Sequence, residues 1–106
     1  MKSVLENQVR ARFHAMRAEV ERRVTALMPN DKKLVVVDIR EFDVCRFTYG
    51  KRHVRVAFDP MLAIVGHQVA VLLYDGDDAP PRRMRGLMNA PQGVSELIAG
   101  ALKGEI

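Results

Sequence analysis

The sequence predicts an α+β domain: a long N-terminal helix, a mostly antiparallel four-stranded sheet and a C-terminal helix, with both helices on one sheet face. Three observations carry this. An apolar stripe at helical spacing fills the first quarter of the chain, two alternating runs flank a two-residue turn near the middle, and a second helical repeat closes the chain. The 106 residues read as a single domain, 1–106, because a chain of this length buries roughly 60 to 70% of its unfolded surface around one core.

In the first element Leu5, Val9, Phe13, Met16, Val20, Val24 and Leu27 recur at intervals of four and three. At 100° per residue they form one stripe about 100° wide, the core-facing side of an amphipathic helix that ends before Pro29. Glu6 with Arg10, Arg17 with Glu21, and Glu19 with Arg23 stand four apart, the spacing that pairs opposite charges on a helix. His14 falls away from the stripe and is expected to be exposed. The helix, at roughly 25 residues and about 38 Å, outruns a strand of about 20 Å. Leu5, Val9 and Phe13 therefore form an expected overhang, to be covered by a second copy in a homodimer or by a partner protein.

A turn at residues 30–33 leads into a β-branched strand, 34–40. Residues 44–49 and 52–59 then alternate apolar and polar around Gly50 and Lys51, the pattern of a tight hairpin. A two-residue turn pairs Tyr49 with Arg52, Thr48 with His53, Phe47 with Val54, Arg46 with Arg55 and Cys45 with Val56. That register turns Cys45, Phe47, Val54, Val56 and Phe58 to the core and sets Arg46, Thr48, His53 and Arg55 on the other face.

Asp59 and Pro60 read as the cap and first residue of a short helix, 61–65, with Gly66 as its stop; a strand turning at Gly66 and His67 is the alternative. Residues 68–74 form a strand apolar on both faces, and so central or covered on both sides. The acidic, turn-rich segment 75–81 is expected to be a mobile loop. Its aspartates do not make an EF-hand, since a loop starting at Asp75 needs a Glu where Gly86 stands. Arg82, Arg83 and Arg85 follow, with Met84, Leu87 and Met88 expected to seal an edge of the core. In the last helix, about 92–103, Val94, Leu97, Ile98, Ala101 and Leu102 keep helical spacing and Gly104 supplies the stop.

Composition then narrows the function. The single cysteine, Cys45, excludes an intramolecular disulfide and a thiolate metal cluster within one chain. No apolar run approaches the roughly 18 residues of a membrane span, and residues 1–12 are polar where a signal peptide is apolar, so a cytoplasmic location is expected. Catalytic chemistry finds no support: the hairpin register separates Cys45 from His53, no nucleophile elbow, phosphate loop or dinucleotide fingerprint is present, and Asp38, Glu41 and Asp43 read as a solvated strand end. No cofactor or metal site is expected.

What remains is charge. Net charge is +4, but residues 1–58 hold 13 basic against 7 acidic side chains, while residues 59–106 hold 4 against 6. Arg outnumbers Lys 12 to 5, and a guanidinium donates in pairs to carboxylate or phosphate. Arg46 directly opposite Arg55 is a destabilising like-charge pair, to be offset by a nearby acid such as Glu41 or Asp43, by solvent, or by an anionic partner. By elimination the sequence reads as a non-enzymatic binding module, of adaptor or inhibitor type, that contacts a protein through Arg46, Thr48, His53 and Arg55. The alternative is a nucleic-acid-binding domain using the same basic face of the 44–58 hairpin. Against it, the register turns Phe47, Tyr49 and Phe58 inward, whereas single-strand binders stack bases on exposed rings.

Overall fold

The computed structural model describes residues 3–76 and 80–106. Helix α1 spans Val4–Leu27. Strand β1, Leu34–Ile39, passes through a short 3-10 turn, Arg40–Phe42, into strand β2, Val44–Tyr49, and strand β3, Arg52–Ala57. Helix α2, Pro60–Gly66, precedes strands β4, Gln68–Asp75, and β5, Arg82–Leu87, and helix α3, Pro91–Leu102, follows. The five strands form one antiparallel sheet in chain order.

The expected α+β architecture holds, with one strand more than the sequence suggests. Residues 82–87, to which the sequence pattern assigns no element, form edge strand β5. Arginines on both faces and Gly86 erase any alternation there, and the strand exists because β4 supplies its ladder, Leu73 opposite Arg82 through Gln68 opposite Leu87. Residues 60–66 resolve as helix, because the Asp59 carboxylate accepts hydrogen bonds from the N–H groups of Met61 (3.0 Å) and Leu62 (3.3 Å). His67 caps its far end in the left-handed region at φ 51°. Asp77, Asp78 and Ala79, at the centre of the acidic 75–81 segment expected to be a mobile loop, lie outside the described residues.

Helix α1 is capped by Ser3, whose hydroxyl accepts the Glu6 N–H at 3.0 Å. Val9, Phe13, Met16, Val20 and Val24 are buried. The expected overhang is thereby corrected at two of its three residues: Val9 and Phe13 are covered by their own chain, Phe13 packing on Phe58, and only Leu5, 54% exposed, projects beyond it. The short helix α2 is what the length comparison of one helix with one strand leaves out, for it packs against both α1 and β4. Helix α3 packs against both α1 and strands β2, β3 and β5. That place explains its small residues, since Ser95, Ala99, Gly100 and Ala101 are all buried and admit close neighbours.

The hairpin pairs in the expected register. Gly50, at φ 63°, occupies the first central position of a two-residue turn, where a type II′ hairpin requires glycine. Cys45, Phe47, Val54, Val56 and Phe58 join Val69, Val71 and Leu73 of β4 in the core. Of the three residues expected to seal its edge only Met88 does so; Met84 and Leu87 are exposed. Helices cover this face of the sheet alone.

Two glycines make the packing testable. A Cβ on Gly86 would lie 2.6 Å from Cγ2 of buried Val94, a β-branched side chain with little freedom to yield, whereas a Cβ on Gly93, within α3, meets nothing. Gly86→Ala is expected to destabilise by about 1–3 kcal/mol and Gly93→Ala to stabilise by about 0.5–1 kcal/mol. Urea unfolding of the two variants checks the opposite signs; equal effects would contradict this packing of α3 on β5.

Candidate functional site

Alternation in the strands sorts every side chain to one face, and the face without helices is built by the outward positions. Across it Val37, Arg46, Arg55, Leu72 and Arg83 form one row through consecutive strand pairings. Val35, Thr48, His53 and Tyr74 form the row on one side, and Ile39, Val44, Ala57, Ala70 and Arg85 the row on the other. The four residues selected from the sequence, Arg46, Thr48, His53 and Arg55, thus stand together at the centre of this face. All four are partly exposed and none belongs to the core.

Two further arginines and an aromatic ring join them. Arg83 and Arg85 come from β5, which sequence reading did not recognise as a strand. Tyr74 was available from period two alone, since Val69, Val71 and Leu73 point to the core and Ala70, Leu72 and Tyr74 must point away from it. Strand β4 is therefore central, as expected, but it is covered on one face only. The Tyr74 ring stacks on His53, with centroids 4.2 Å apart at 12°, and Arg55 lies over the same ring at 4.9 Å. This cation–π contact of about 0.5–1 kcal/mol at an exposed site orients Arg55 without neutralising it.

The strand positions facing outward hold four arginines and no Asp or Glu. Among the described residues none of Arg46, Arg55, Arg83 and Arg85 forms an ion pair, and Arg46 Nε has no hydrogen-bond partner. A cleft of about 340 Å³ opens beside Arg83 and Arg85, with Leu62, Ala70, Leu72 and Met84 as its apolar lining and the cap residue Asp59 on its border.

The nearby acids that might have balanced Arg46 and Arg55 are engaged elsewhere. Asp43, in the left-handed region at φ 51°, pairs with Arg10 and lies 3.0 Å from His14 Nε2. Asp38 points to the helix side, 3.6 Å from Arg17 and 3.0 Å from Arg40. Glu41 is exposed and forms no ion pair among the described residues. This corrects two expectations: Asp38 and Asp43 are not a solvated strand end, and His14 is half-buried. The turn at 40–43 brings Asp43 against the flank of α1, a tertiary contact that helical periodicity does not reveal. The three helix pairs foreseen from spacing all form, Glu6 with Arg10 at 3.0 Å, Arg17 with Glu21 at 3.5 Å and Glu19 with Arg23 at 2.9 Å.

Burial lowers the His14 imidazole from its ordinary value, and Arg40, Arg17 and Arg10 add to this against the opposing field of Asp38. The neutral ring donates its Nε2–H to Asp43, and Nδ1, buried without a partner among the described residues, then carries only a lone pair. Cys45 lies on the core face opposite His53, and burial pushes its thiol up to about 11 against the pull of Arg17. A thiol so placed is almost wholly protonated at neutral pH and a poor nucleophile. Among the described residues no group of three or more His, Cys, Asp or Glu could hold a metal ion, and no helix is long and apolar enough to cross a membrane. Comparison with protein-family models, with curated proteins and with solved structures finds no match to this chain.

The position of His14 has a consequence for pH dependence. The free imidazole titrates near 6.5. Below that value the unfolded chain binds a proton that folded His14 resists, so stability present above pH 6.5 is lost as the pH falls through the lower folded value. His14→Gln retains a donor to Asp43 but cannot titrate. Urea unfolding at about pH 7.5 and about pH 5.5 should show a smaller acid loss in the variant than in the wild type. An equal loss would mean that His14 does not titrate as its burial requires.

Proposed function

We propose that this protein is a non-enzymatic binding module that docks an acidic, partly apolar protein surface on the open face of its sheet. The observation that supports it is the composition of that face: Arg46, Arg55, Arg83 and Arg85 without an ion pair among the described residues, interleaved with Val35, Val37, Leu72 and Tyr74. Protein interfaces favour this combination, in which arginine and aromatic groups anchor and apolar neighbours exclude water. The cleft beside Leu72 and Arg83 would take an apolar side chain next to a carboxylate. Face-to-face packing of two copies is disfavoured, because it would bring two acid-free arginine rows together.

A second reading, nucleic-acid binding, is favoured by the His53 and Tyr74 stack, which puts one ring where the hairpin alone offered none. One ring is a sparse platform for successive bases, and about half of the outward strand positions are aliphatic, where phosphate contacts call for polar groups.

Arg46→Ala combined with Arg55→Ala should change stability by less than about 1 kcal/mol, since neither side chain has an ion pair among the described residues to lose, and should weaken partner binding at least about tenfold, the equivalent of about 1.4 kcal/mol. Affinity capture with and without nuclease, using wild type and double variant, tests both readings. A specific protein retained through nuclease and lost with the variant is the expected result. Partners lost entirely under nuclease, with affinity falling steeply as salt rises, would favour nucleic acid, and normal capture by the double variant would overturn the role of this face.

A further inference from the structure

The sheet ends in two edges of unlike character. Strand β5 carries Arg82, Arg83 and Arg85, and charge along an edge is a common protection against strand pairing with another chain. Strand β1, Leu-Val-Val-Val-Asp-Ile, pairs among the described residues with β2 alone. It has no proline or lysine within it, and its one charged residue, Asp38, is turned inward to Arg17. Its outward residues are Val35, 41% exposed, Val37 and Ile39. Alternate N–H and C=O groups of such a strand point away from its single partner, a template for one more strand.

We infer that β1 is the contact between two copies of this chain, joined antiparallel about a twofold axis at Val37 into a continuous ten-stranded sheet. The register follows from matching faces. Residues paired across an antiparallel contact point the same way, so the paired positions must sum to an even number. With Val37 opposite its own copy, Val35 meets Ile39 of the other chain, giving an unbroken aliphatic ladder of Val35, Val37 and Ile39. Shifting the axis to Val36 sets Ile39 opposite Lys33 and breaks the aliphatic ladder. Pairing of β1 with β5 of another copy sets an aliphatic edge against arginines and, being head-to-tail, leaves an open edge at each end instead of closing. The dimer places the two arginine faces on the same side of one sheet, so a partner with repeated acidic sites would engage both. The dimer itself does not depend on what that face binds.

The test is cysteine cross-linking under mild oxidation together with light scattering from micromolar to high-micromolar protein. Opposed residues in an antiparallel pair have Cα atoms about 4.5–5.5 Å apart, within the reach of a disulfide. Val37→Cys should cross-link to its own copy, whereas Val35→Cys, four positions from its counterpart along the strand, should not. Native Cys45 is buried and does not compete. Wild type and Leu5→Lys should scatter as dimers, and Val35→Lys with Val37→Lys as a monomer with an unchanged circular dichroism spectrum. A monomeric wild type, larger open-ended species, equal cross-linking at both positions, or a dimer abolished by Leu5→Lys and untouched by the β1 lysines would each overturn the inference.

Discussion

Two helices about 10 Å across can cover one face of five strands spaced about 4.8 Å apart, and only one. This limit on coverage organises the molecule. The chain has apolar helical surface enough for a single layer, so α1 and α3 lie together over the inward residues Cys45, Phe47, Val54, Val56, Val69 and Val71. The opposite face is left to be soluble or to be bound. Its arginines maintain the first condition, and their lack of ion pairs among the described residues supports the second.

The acids of the chain are distributed consistently with that division. Asp38 and Asp43 could have served the hairpin arginines but are turned to the helix side, where Arg10, Arg17, His14 and Arg40 hold them. Partly buried pairs such as Arg10 with Asp43 and Arg17 with Asp38 add little net stability, because desolvation offsets their attraction, but breaking one leaves a costly unpaired charge. They therefore fix how α1 crosses the turn between β1 and β2. The same allocation leaves Arg46 and Arg55 opposite one another without an ion pair among the described residues, Arg55 lying over the Tyr74 ring. The polar seam that seats the helix and the bare basic face beyond the sheet thus share one cause.

How much of this was legible in the sequence differs by element. Helix α1 and the β2–β3 hairpin were readable almost to the residue, because apolar spacing and turn chemistry agree there and local pairing needs no distant partner. The core of the candidate site, Arg46, Thr48, His53 and Arg55, followed from that register. Strand β5 was hidden, since a basic edge strand has no hydrophobic alternation and takes its structure from its neighbour, and Arg83 and Arg85 were hidden with it. Tyr74 was legible in the period of β4 but was masked by a strand that reads as apolar on both faces. The pairing of Asp43 with His14, 29 positions away, depends on how the 40–43 turn meets α1, which no local pattern encodes.

The central claim is that the acid-free sheet face recognises a surface that is acidic and apolar together. Amide chemical-shift mapping of the isotope-labelled protein, titrated with a short peptide alternating acidic and aliphatic residues, tests it most directly. The account predicts progressive shifts at Arg46, His53, Arg55, Tyr74 and Arg83, with α1 and α3 unaffected, and no such response to a peptide in which the acids are replaced by their amides. Shifts confined to the helices, or the same response to the amide peptide, would contradict it.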